Sequence, residues 1–172
     1  MMNLQLFSET VRGRQMVYLY RLLSEAATEA GETLAFTIDN TRTVSKDASA
    51  TATKDGSIRT PGVTEVEISA NSILMAGDER LKRFEDAMEN DELFEIWEAN
   101  LAEPAGGAEQ FEGKYFQGDL TQWDMTSGAE DMVDVSLSFG INGTGRRGPV
   151  TVTLEQQEDA MYAFRDTPAT GA

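Results

Sequence analysis

The sequence contains no cysteine and no histidine. Without Cys the chain has no disulfide, no thiolate nucleophile and no Cys-bound zinc. Without His it lacks the commonest general base and the commonest side-chain ligand of transition metals. Catalysis would have to rest on carboxylates, Ser, Lys or Tyr. We therefore expect a protein that is not an enzyme, with no catalytic residues, no metal site and no cofactor.

Long hydrophobic runs are also missing. No stretch approaches the roughly 20 apolar residues of a membrane-spanning helix. Residues 1–9 have no basic segment before their short apolar run, unlike a signal peptide. We therefore expect no membrane partner and a product that is made in the cytoplasm, or assembled there into something larger. A length of 172 residues, 40% of them hydrophobic, suits one domain with a substantial core.

Basic residues are scarce, most of all in the middle of the chain. The sequence has 14 Lys and Arg against 30 Asp and Glu, a net charge of −16. Residues 85–134 hold 15 of the acids and one base, Lys114. Binding to DNA needs a basic surface that releases counterions, and nothing here supplies one. The acidic third is either a solvated face that keeps the protein soluble or a surface that must not bind nucleic acid.

Other candidate chemistry is weakly indicated. The glycine-rich run 140–148 lacks the GK[ST] ending of a phosphate-binding loop and precedes a predicted strand, not a helix. The acids in 119–134 do not follow the spacing of a calcium loop. Trp97 and Trp123 could stack on sugars, although Trp in a strand is more often part of the core. A carbohydrate-binding or adhesin-like β-sandwich module is the alternative from another functional class.

Alternating apolar residues predict a chain made mostly of strands. Residues 15–23 form a continuous apolar and aromatic run, which suits a strand covered on both faces. Residues 66, 68 and 70 share one face of a second strand. The clearest alternation places Val133, Val135, Leu137, Phe139 and Ile141 on one face and Asp134, Ser136 and Ser138 on the other. We expect Val135, Leu137 and Phe139 to be core and Asp134, Ser136 and Ser138 to face away from it.

The sequence also predicts one helix and one hairpin. A helix is predicted over residues 78–90, opened by Gly77-Asp78. It carries an apolar stripe from Leu81 to Met88, as an amphipathic helix does. Asn142-Gly143 indicates a hairpin in which residues 150–154 pair back on the preceding strand. About seven or eight strands and one helix predict a mainly β chain, an antiparallel sandwich or barrel with a helix on its flank.

A long polar segment, residues 41–62, separates two of the predicted strands. Thr and Ser at this density suit an extended backbone but offer little apolar surface to bury. An arm of this kind is not expected to stabilise itself inside one subunit. We predict that it is ordered by neighbouring copies of the same chain.

Several segments in order resemble the major tail protein family of long-tailed, non-contractile bacteriophages. They are ATKDGSI at 52–58, TPG at 60–62, EVEISANSI at 65–73, GDER at 77–80 and YFQGDLT at 115–121, followed by the strand at 133–140. The resemblance covers most of residues 12–155 and rests on the order and spacing of these segments. It implies two packed antiparallel sheets with a flanking helix, and a long inter-strand loop that contacts neighbouring subunits and the adjacent ring.

The resemblance further implies a structural virion protein. Six subunits would form a ring, and rings would stack into a tail tube with an acidic lumen through which DNA passes without being bound. The implied partners are further copies of the chain, the tape-measure protein and the tail-end proteins, and the implied location is the virion tail, assembled in the host cytoplasm. The domain would span residues 1–155, followed by a flexible or arm-like tail at 156–172.

Two groups of residues are the candidate sites. The candidate residues of the inter-subunit loop are Thr43, Ser45, Lys46, Asp47, Thr51, Thr53, Lys54, Asp55, Gly56 and Ile58. The candidate lumen acids are those in or beside strands of the acidic third, namely Glu95, Glu112, Asp119 and Asp134. A lumen that repels phosphate suits rapid DNA passage, because each Lys or Arg contact would add salt-dependent binding.

Overall fold

The computed structural model describes residues 10–161, whose strands form one antiparallel sheet. The strands are β1 (Met16–Leu22), β2 (Thr37–Thr53), β3 (Gly56–Ile73), β4 (Phe94–Pro104), β5 (Gln110–Thr126), β6 (Asp134–Ile141) and β7 (Arg146–Thr151). The helices are α1 (Glu79–Glu89) and α2 (Leu154–Met161), and short 3-10 turns occur at Gly13–Gln15 and Leu23–Glu25. The prediction of a mainly β chain is confirmed.

The sheet is sandwich-like because it curves around one core. Its strand order is β1-β4-β5-β6-β3-β2, with β7 beside β5. Although β1 and β6 are not neighbours in this order, Tyr20 of β1 stacks on Phe139 of β6 with ring centroids 5.5 Å apart. Residues of β1 and β3 belong to the same buried cluster. The two packed sheets that the resemblance implies are thus two parts of one continuous curved sheet.

The core follows the predicted alternation. Val135, Leu137 and Phe139 of β6 are at most 1% exposed, while Asp134 on the other face of the strand is exposed. Tyr18, Tyr20 and Leu22 of β1 point into the same cluster. A smaller cluster on the opposite face of β1 is Val17, Leu19, Ala99, Phe111, Val150 and Val152. The prediction that β1 is covered on both faces is therefore confirmed.

Helix α1 closes one side of the main cluster. The carboxylate of Asp78 caps its first turn, accepting hydrogen bonds from the backbone N–H groups of Arg80 (3.1 Å) and Leu81 (3.3 Å). Leu81, Phe84 and Ala87 are buried, and the Phe84 ring meets the Phe94 ring edge-on, with centroids 5.0 Å apart. The helix predicted at 78–90 is confirmed, because its cap and apolar stripe are local features of the sequence.

Strand β5 is shared between two parts of the sheet. Its first half pairs with β4 on one side, up to Gly118, and with β7 on the other, up to Tyr115. Its second half pairs with β6, with an irregularity between Leu120 and Gln122. A Cβ at Gly118 would collide with the carbonyl of Gly140, so glycine lets the neighbouring backbones approach where the partner strand changes.

The predicted hairpin at Asn142-Gly143 is wrong. Strands β6 and β7 do not pair with each other; both pair with β5, end to end along the same edge. The backbone N–H of Asn142 donates to the carbonyl of Gln117 (2.8 Å), which holds the chain against β5 as it leaves β6. Gly143 and Gly145 have φ of 70° and 77°, so they carry a short detour without reversing the chain.

Strands β2 and β3 extend beyond the sheet as a two-stranded ribbon, which we call the arm (residues 45–65). Pairing continues from Ser45 opposite Glu65 to Thr53 opposite Gly56, and the chain reverses at Lys54-Asp55. Each strand of the arm supplies the other's backbone hydrogen bonds, so the segment does find a pairing partner inside its own subunit. That neighbouring copies order the arm stays a prediction. The arm is nevertheless exposed along nearly its whole length.

Helix α2 continues the chain where a polar tail is predicted to begin. Val152, just before it, is fully buried, and Ala160 packs against the smaller cluster. Residues 1–9 and 162–172 lie outside the described residues, so the boundary near 155 and the flexible tail stay predictions. Neither helix of residues 10–161 is long and apolar enough to span a membrane.

Truncating Phe139 should be strongly destabilising. The ring is fully buried and touches the rings of Tyr20 and Phe94, so we expect Phe139→Ala to lower the free energy of unfolding by about 3–5 kcal/mol. Ser138→Ala, on the outward face of the same strand, should change it by no more than about 0.5 kcal/mol. Urea unfolding measures both, and equal losses would show that the strand's faces are assigned incorrectly.

Candidate functional site: an acidic sheet face and a protruding arm

One face of the sheet is polar and is covered by no other element of residues 10–161. It belongs to β2, β3, β6 and the second half of β5, whose opposite face lies on the main cluster. We call it the acidic face. Its residues form rows across the four strands: Thr43, Glu67, Gly140 and Asp119; Thr41, Ser69, Ser138 and Gln122; and Asp39, Asn71, Ser136 and Asp124. Ser45 and Glu65 continue it at one end, and Asp134 and Thr126 at the other.

The charge of this face is entirely negative. Its six carboxylates, all exposed, are Asp39, Glu65, Glu67, Asp119, Asp124 and Asp134. No Lys or Arg lies on it, and none of the six takes part in the ion pairs found within residues 10–161. The remaining side chains are mostly Ser, Thr, Asn and Gln, so the face offers negative charge and small neutral groups.

Short hydrogen bonds link neighbouring strands across this face. Ser136 donates through its hydroxyl to Oδ1 of Asn71 (2.6 Å), and Asn71 donates through Nδ2 to Oδ1 of Asp39 (2.7 Å). Within β5, Gln122 donates to the carboxylate of Asp124. These contacts satisfy some of the acids' acceptor capacity without neutralising any charge, so the face keeps its negative potential.

The four candidate lumen acids do not lie together. Asp119 and Asp134 are on the acidic face. Glu112 is exposed elsewhere on β5, beside a small cavity that Lys114 and Arg147 also line. Glu95 is 6% exposed and is bound by Arg21 and Tyr115.

Sequence reasoning missed Asp39, Glu65, Glu67 and Asp124. The first three lie outside the acidic third, to which all four candidate lumen acids belong. The alternation of apolar residues in β3 could have identified two of them, Glu65 and Glu67. Since residues 66, 68 and 70 face the core, residues 65 and 67 must face the other way.

Strand β4 carries two similar groups of Arg, Glu and Tyr on its opposite faces. In the first, the Glu95 carboxylate accepts from Nε of Arg21 (2.6 Å) and from the Tyr115 hydroxyl (2.7 Å). In the second, which we call the Arg42 triad, Glu98 accepts from Nε of Arg42 (2.7 Å) and from the Tyr18 hydroxyl (2.5 Å). Both carboxylates are nearly buried and each is neutralised by a guanidinium, so they act structurally.

The two triads shift the pKa values of their members. The hydrogen bond from Arg42 to Glu98 raises the pKa of the Arg42 guanidinium. Burial, then the bond to Glu98, raises the pKa of the Tyr18 hydroxyl. Burial and the bond to Glu95 likewise raise the pKa of Tyr115. All three groups therefore keep their ordinary protonation state near neutral pH, and none is set up as a proton-transfer group.

The candidate inter-subunit residues all lie on β2, β3 or the turn between them, and all are exposed. Beyond Thr43 they belong to the arm. The arm also presents apolar side chains to solvent: Ile58 is 61% exposed and Val63 is 82% exposed. Exposed apolar groups on a protruding ribbon suit contact with another protein surface.

The two tryptophans do not form a sugar-binding platform. Trp97 is half-buried, with the Tyr115 ring 5.5 Å from its own and the Arg21 guanidinium 4.9 Å from its centroid. Trp123 packs against the main cluster, and its Nε1 is buried without a hydrogen-bond partner. With Trp97 covered and Trp123 turned inward, the carbohydrate-binding alternative loses the residues that suggested it.

Comparisons with known proteins place the chain in one family. Residues 10–146 match the family model described as phage tail tube protein. A protein of Staphylococcus phage phiMR25, described as a candidate tail protein, is 31% identical over 120 residues, covering 67% of this chain and 62% of its own length. The match therefore spans somewhat less than two thirds of that relative.

Solved structures share the fold at low sequence identity. The SPP1 tail tube subunit superposes with a TM-score of 0.70 at 18% identity, covering 95% of each chain. A subunit from the tail of an empty gene transfer agent particle, refined with helical and C6 symmetry, gives a TM-score of 0.56 at 13% identity, covering 84% of this chain and 100% of that one. Because the family model matches most of its length, the chain belongs to the phage tail tube protein family.

Proposed function

We propose that this chain is the structural subunit of a phage tail tube, and that its acidic face lines the channel through which DNA passes. The observation that carries the proposal is the face itself: six exposed carboxylates on four adjacent strands, with no cation among them and no covering element from residues 10–161. Such a surface repels phosphate and gives DNA no counterion-releasing contact. We assign the chain no catalytic role.

Within residues 10–161, the four strands of the acidic face have two free edges through which copies can join. Strand β2 is the last in the sheet, and residues 119–126 of β5 lie beyond the part that pairs with β4. Joining the β2 edge of one copy to the β5 edge of the next pairs both, and repetition of this contact around an axis closes a ring. The uncharged side chains of Thr41 and Gln122 leave such a junction free of like-charge repulsion at the middle row.

The dimensions of a six-membered ring fit DNA. Four strands from each of six copies, at about 4.8 Å per strand, give a circumference of about 115 Å and a backbone diameter of about 37 Å. Strand tilt would widen it further. After side chains are added, this opening passes a double helix without tight contact. Each acid of the face would recur six times at one height, which is tolerable because the channel holds water and counterions.

The arm is proposed to join copies of the chain. It extends the ribbon beyond the body and carries Ile58 and Val63 in the open, so we assign its contacts to neighbouring subunits, including those of the adjacent ring. The tape-measure and tail-end proteins are the proposed further partners. The tube is proposed to be assembled in the host cytoplasm and to function in the virion tail.

Cysteine cross-linking tests the ring directly, because the natural chain has no Cys. In the variant Thr41→Cys/Gln122→Cys each copy carries one thiol on each free edge of the acidic face, in the same row. Oxidation of assembled protein should give a ladder of covalent multimers that ends at the closed ring. Each single-Cys variant should give no species beyond a dimer.

Electron microscopy of the same samples shows whether tubes are present. A protein that stays monomeric at high concentration, with no cross-linked ladder from this pair or from Thr41→Cys/Asp124→Cys in the neighbouring row, would contradict the proposed assembly.

A further inference from the structure

The arm is held to the body through few contacts. Among residues 10–161, strand β2 pairs only with β3, and the hydrogen bonds of residues 43–65 all lie within the ribbon. Two side chains of β2 instead contact β1 and β4 on the far side of the core. Asn40 accepts a hydrogen bond from the Tyr20 hydroxyl (2.8 Å), and Arg42 binds Glu98. These ties lie just before the ribbon leaves the body.

The Arg42 triad bridges strands that are far apart in the sheet. Strand β2 stands at one end of the strand order and β4 is second from the other end. The guanidinium of Arg42 meets both oxygens of Glu98, with Nε 2.7 Å from Oε2 and Nη2 3.3 Å from Oε1. This bidentate contact fixes the orientation of the two side chains as well as the distance between them, because the guanidinium is planar and rigid.

Burial makes this contact specific. Glu98 is 8% exposed and also accepts from the hydroxyl of Tyr18, which is itself 8% exposed. The Arg42 guanidinium lies 6.0 Å from the centroid of the buried Phe116 ring. A nearly buried carboxylate needs a partner charge, since leaving it unpaired is costly. Glu98 therefore holds Arg42, and with it β2, in one place.

A two-stranded ribbon outside a sheet is only marginally stable, and by itself it can bend and twist about its base. We propose that the Arg42 triad fixes the direction in which the arm leaves the body, so that Arg42, Glu98 and Tyr18 are positioning residues for assembly. The inference rests on the proposed function insofar as the arm joins subunits. A pre-oriented arm loses less conformational freedom on docking, which strengthens association without adding a contact.

The test uses spin labels at Asp55→Cys, on the arm turn, and Glu85→Cys, on the exposed side of α1, in the soluble subunit at low concentration. The otherwise Cys-free chain takes both labels cleanly. The distance distribution between them should be narrow in the parent protein and clearly broader in Glu98→Gln. If one tenth of the molecules then hold the competent orientation, the concentration needed for tube formation rises about tenfold.

Glu95→Gln is the matched control. Glu95 lies on the same strand, is equally buried and has the same kinds of partner, Arg21 and Tyr115, but makes no contact with the arm. We expect it to lower the melting temperature about as much as Glu98→Gln while leaving the label distances and the tube-forming concentration unchanged. Should Glu98→Gln not fold, Arg42→Gln provides the same test, because the Arg42 side chain is 30% exposed and tolerates replacement more readily.

Unchanged distances in a folded Glu98→Gln or Arg42→Gln variant would overturn the inference, as would equal broadening in Glu95→Gln. The distances are measured on the separate subunit, so they decide the role of the triad even if no tube forms. A parent protein that fails to form tubes would instead count against the proposed function.

Discussion

Replacing the arm with a tight turn should abolish tube formation while leaving the body folded. The register places Val44 opposite Val66, so an Asn-Gly pair in place of residues 45–65 closes the ribbon where it meets the body. The removed residues are nearly all exposed, and we expect the free energy of unfolding to change by less than about 1 kcal/mol. Circular dichroism with urea unfolding measures the fold, and sedimentation with negative-stain microscopy measures the tubes.

A matched control separates the effect of the arm's length from the effect of its apolar side chains. In the paired substitution Ile58→Ser/Val63→Ser the arm keeps its length and loses its two most exposed apolar side chains. If these side chains bury against a neighbour, as proposed, tube formation should weaken without being lost, because each would forfeit roughly 1–2 kcal/mol of apolar burial. Normal tubes from the shortened protein would refute the proposed role of the arm.

Reversing the charge of the acidic face should slow DNA passage far more than it affects assembly. The variant particles carry Asp119→Lys, Asp124→Lys and Asp134→Lys together. All three positions lie on the outward face of β5 and β6, and none forms an ion pair within residues 10–161. Each new Lys adds a phosphate contact that releases counterions. We expect single-particle DNA ejection to slow about tenfold or more at low salt, and the defect to ease as salt rises.

The control carries the same charge change away from the proposed channel. Glu85, Asp86 and Glu89 are exposed on α1, and their replacement by Lys should leave ejection at the parent rate. Ejection at that rate from the acidic-face variant, with tubes intact, would mean that DNA travels along another surface. Slowing by both variants would point to a general effect of net charge on the particle.

The sequence by itself determines the local elements. Residues 133–141 alternate so regularly that Val135, Leu137 and Phe139 could be assigned to the core, where they are at most 1% exposed. Helix α1 was predictable because its Asp78 cap and its apolar stripe depend on residues within one or two turns of each other. The excess of 30 Asp and Glu over 14 Lys and Arg, which argued against a DNA-binding surface, is visible without any structure.

Tertiary structure decides how these elements are joined. Asn142-Gly143 is a hairpin signal by local rules, yet the chain stays on β5, because the pairing of β6 and β7 with that strand satisfies both along a shared edge. Likewise, Glu95 and Asp119 look equivalent in sequence. Glu95 is buried because Arg21 and Tyr115 arrive from other strands, whereas Asp119 is exposed and forms no ion pair within residues 10–161.

The acidic face itself is the clearest example of this division. Parity within one strand fixes which of its residues share a side, and this much can be read from the sequence. Which strands lie next to one another depends on long-range pairing, and only that pairing brings Asp39, Glu67 and Asp124 onto one surface from three separate parts of the chain. The alternation within each strand therefore determines which residues share a face, and the order of strands in the folded sheet determines which faces lie side by side to form the site.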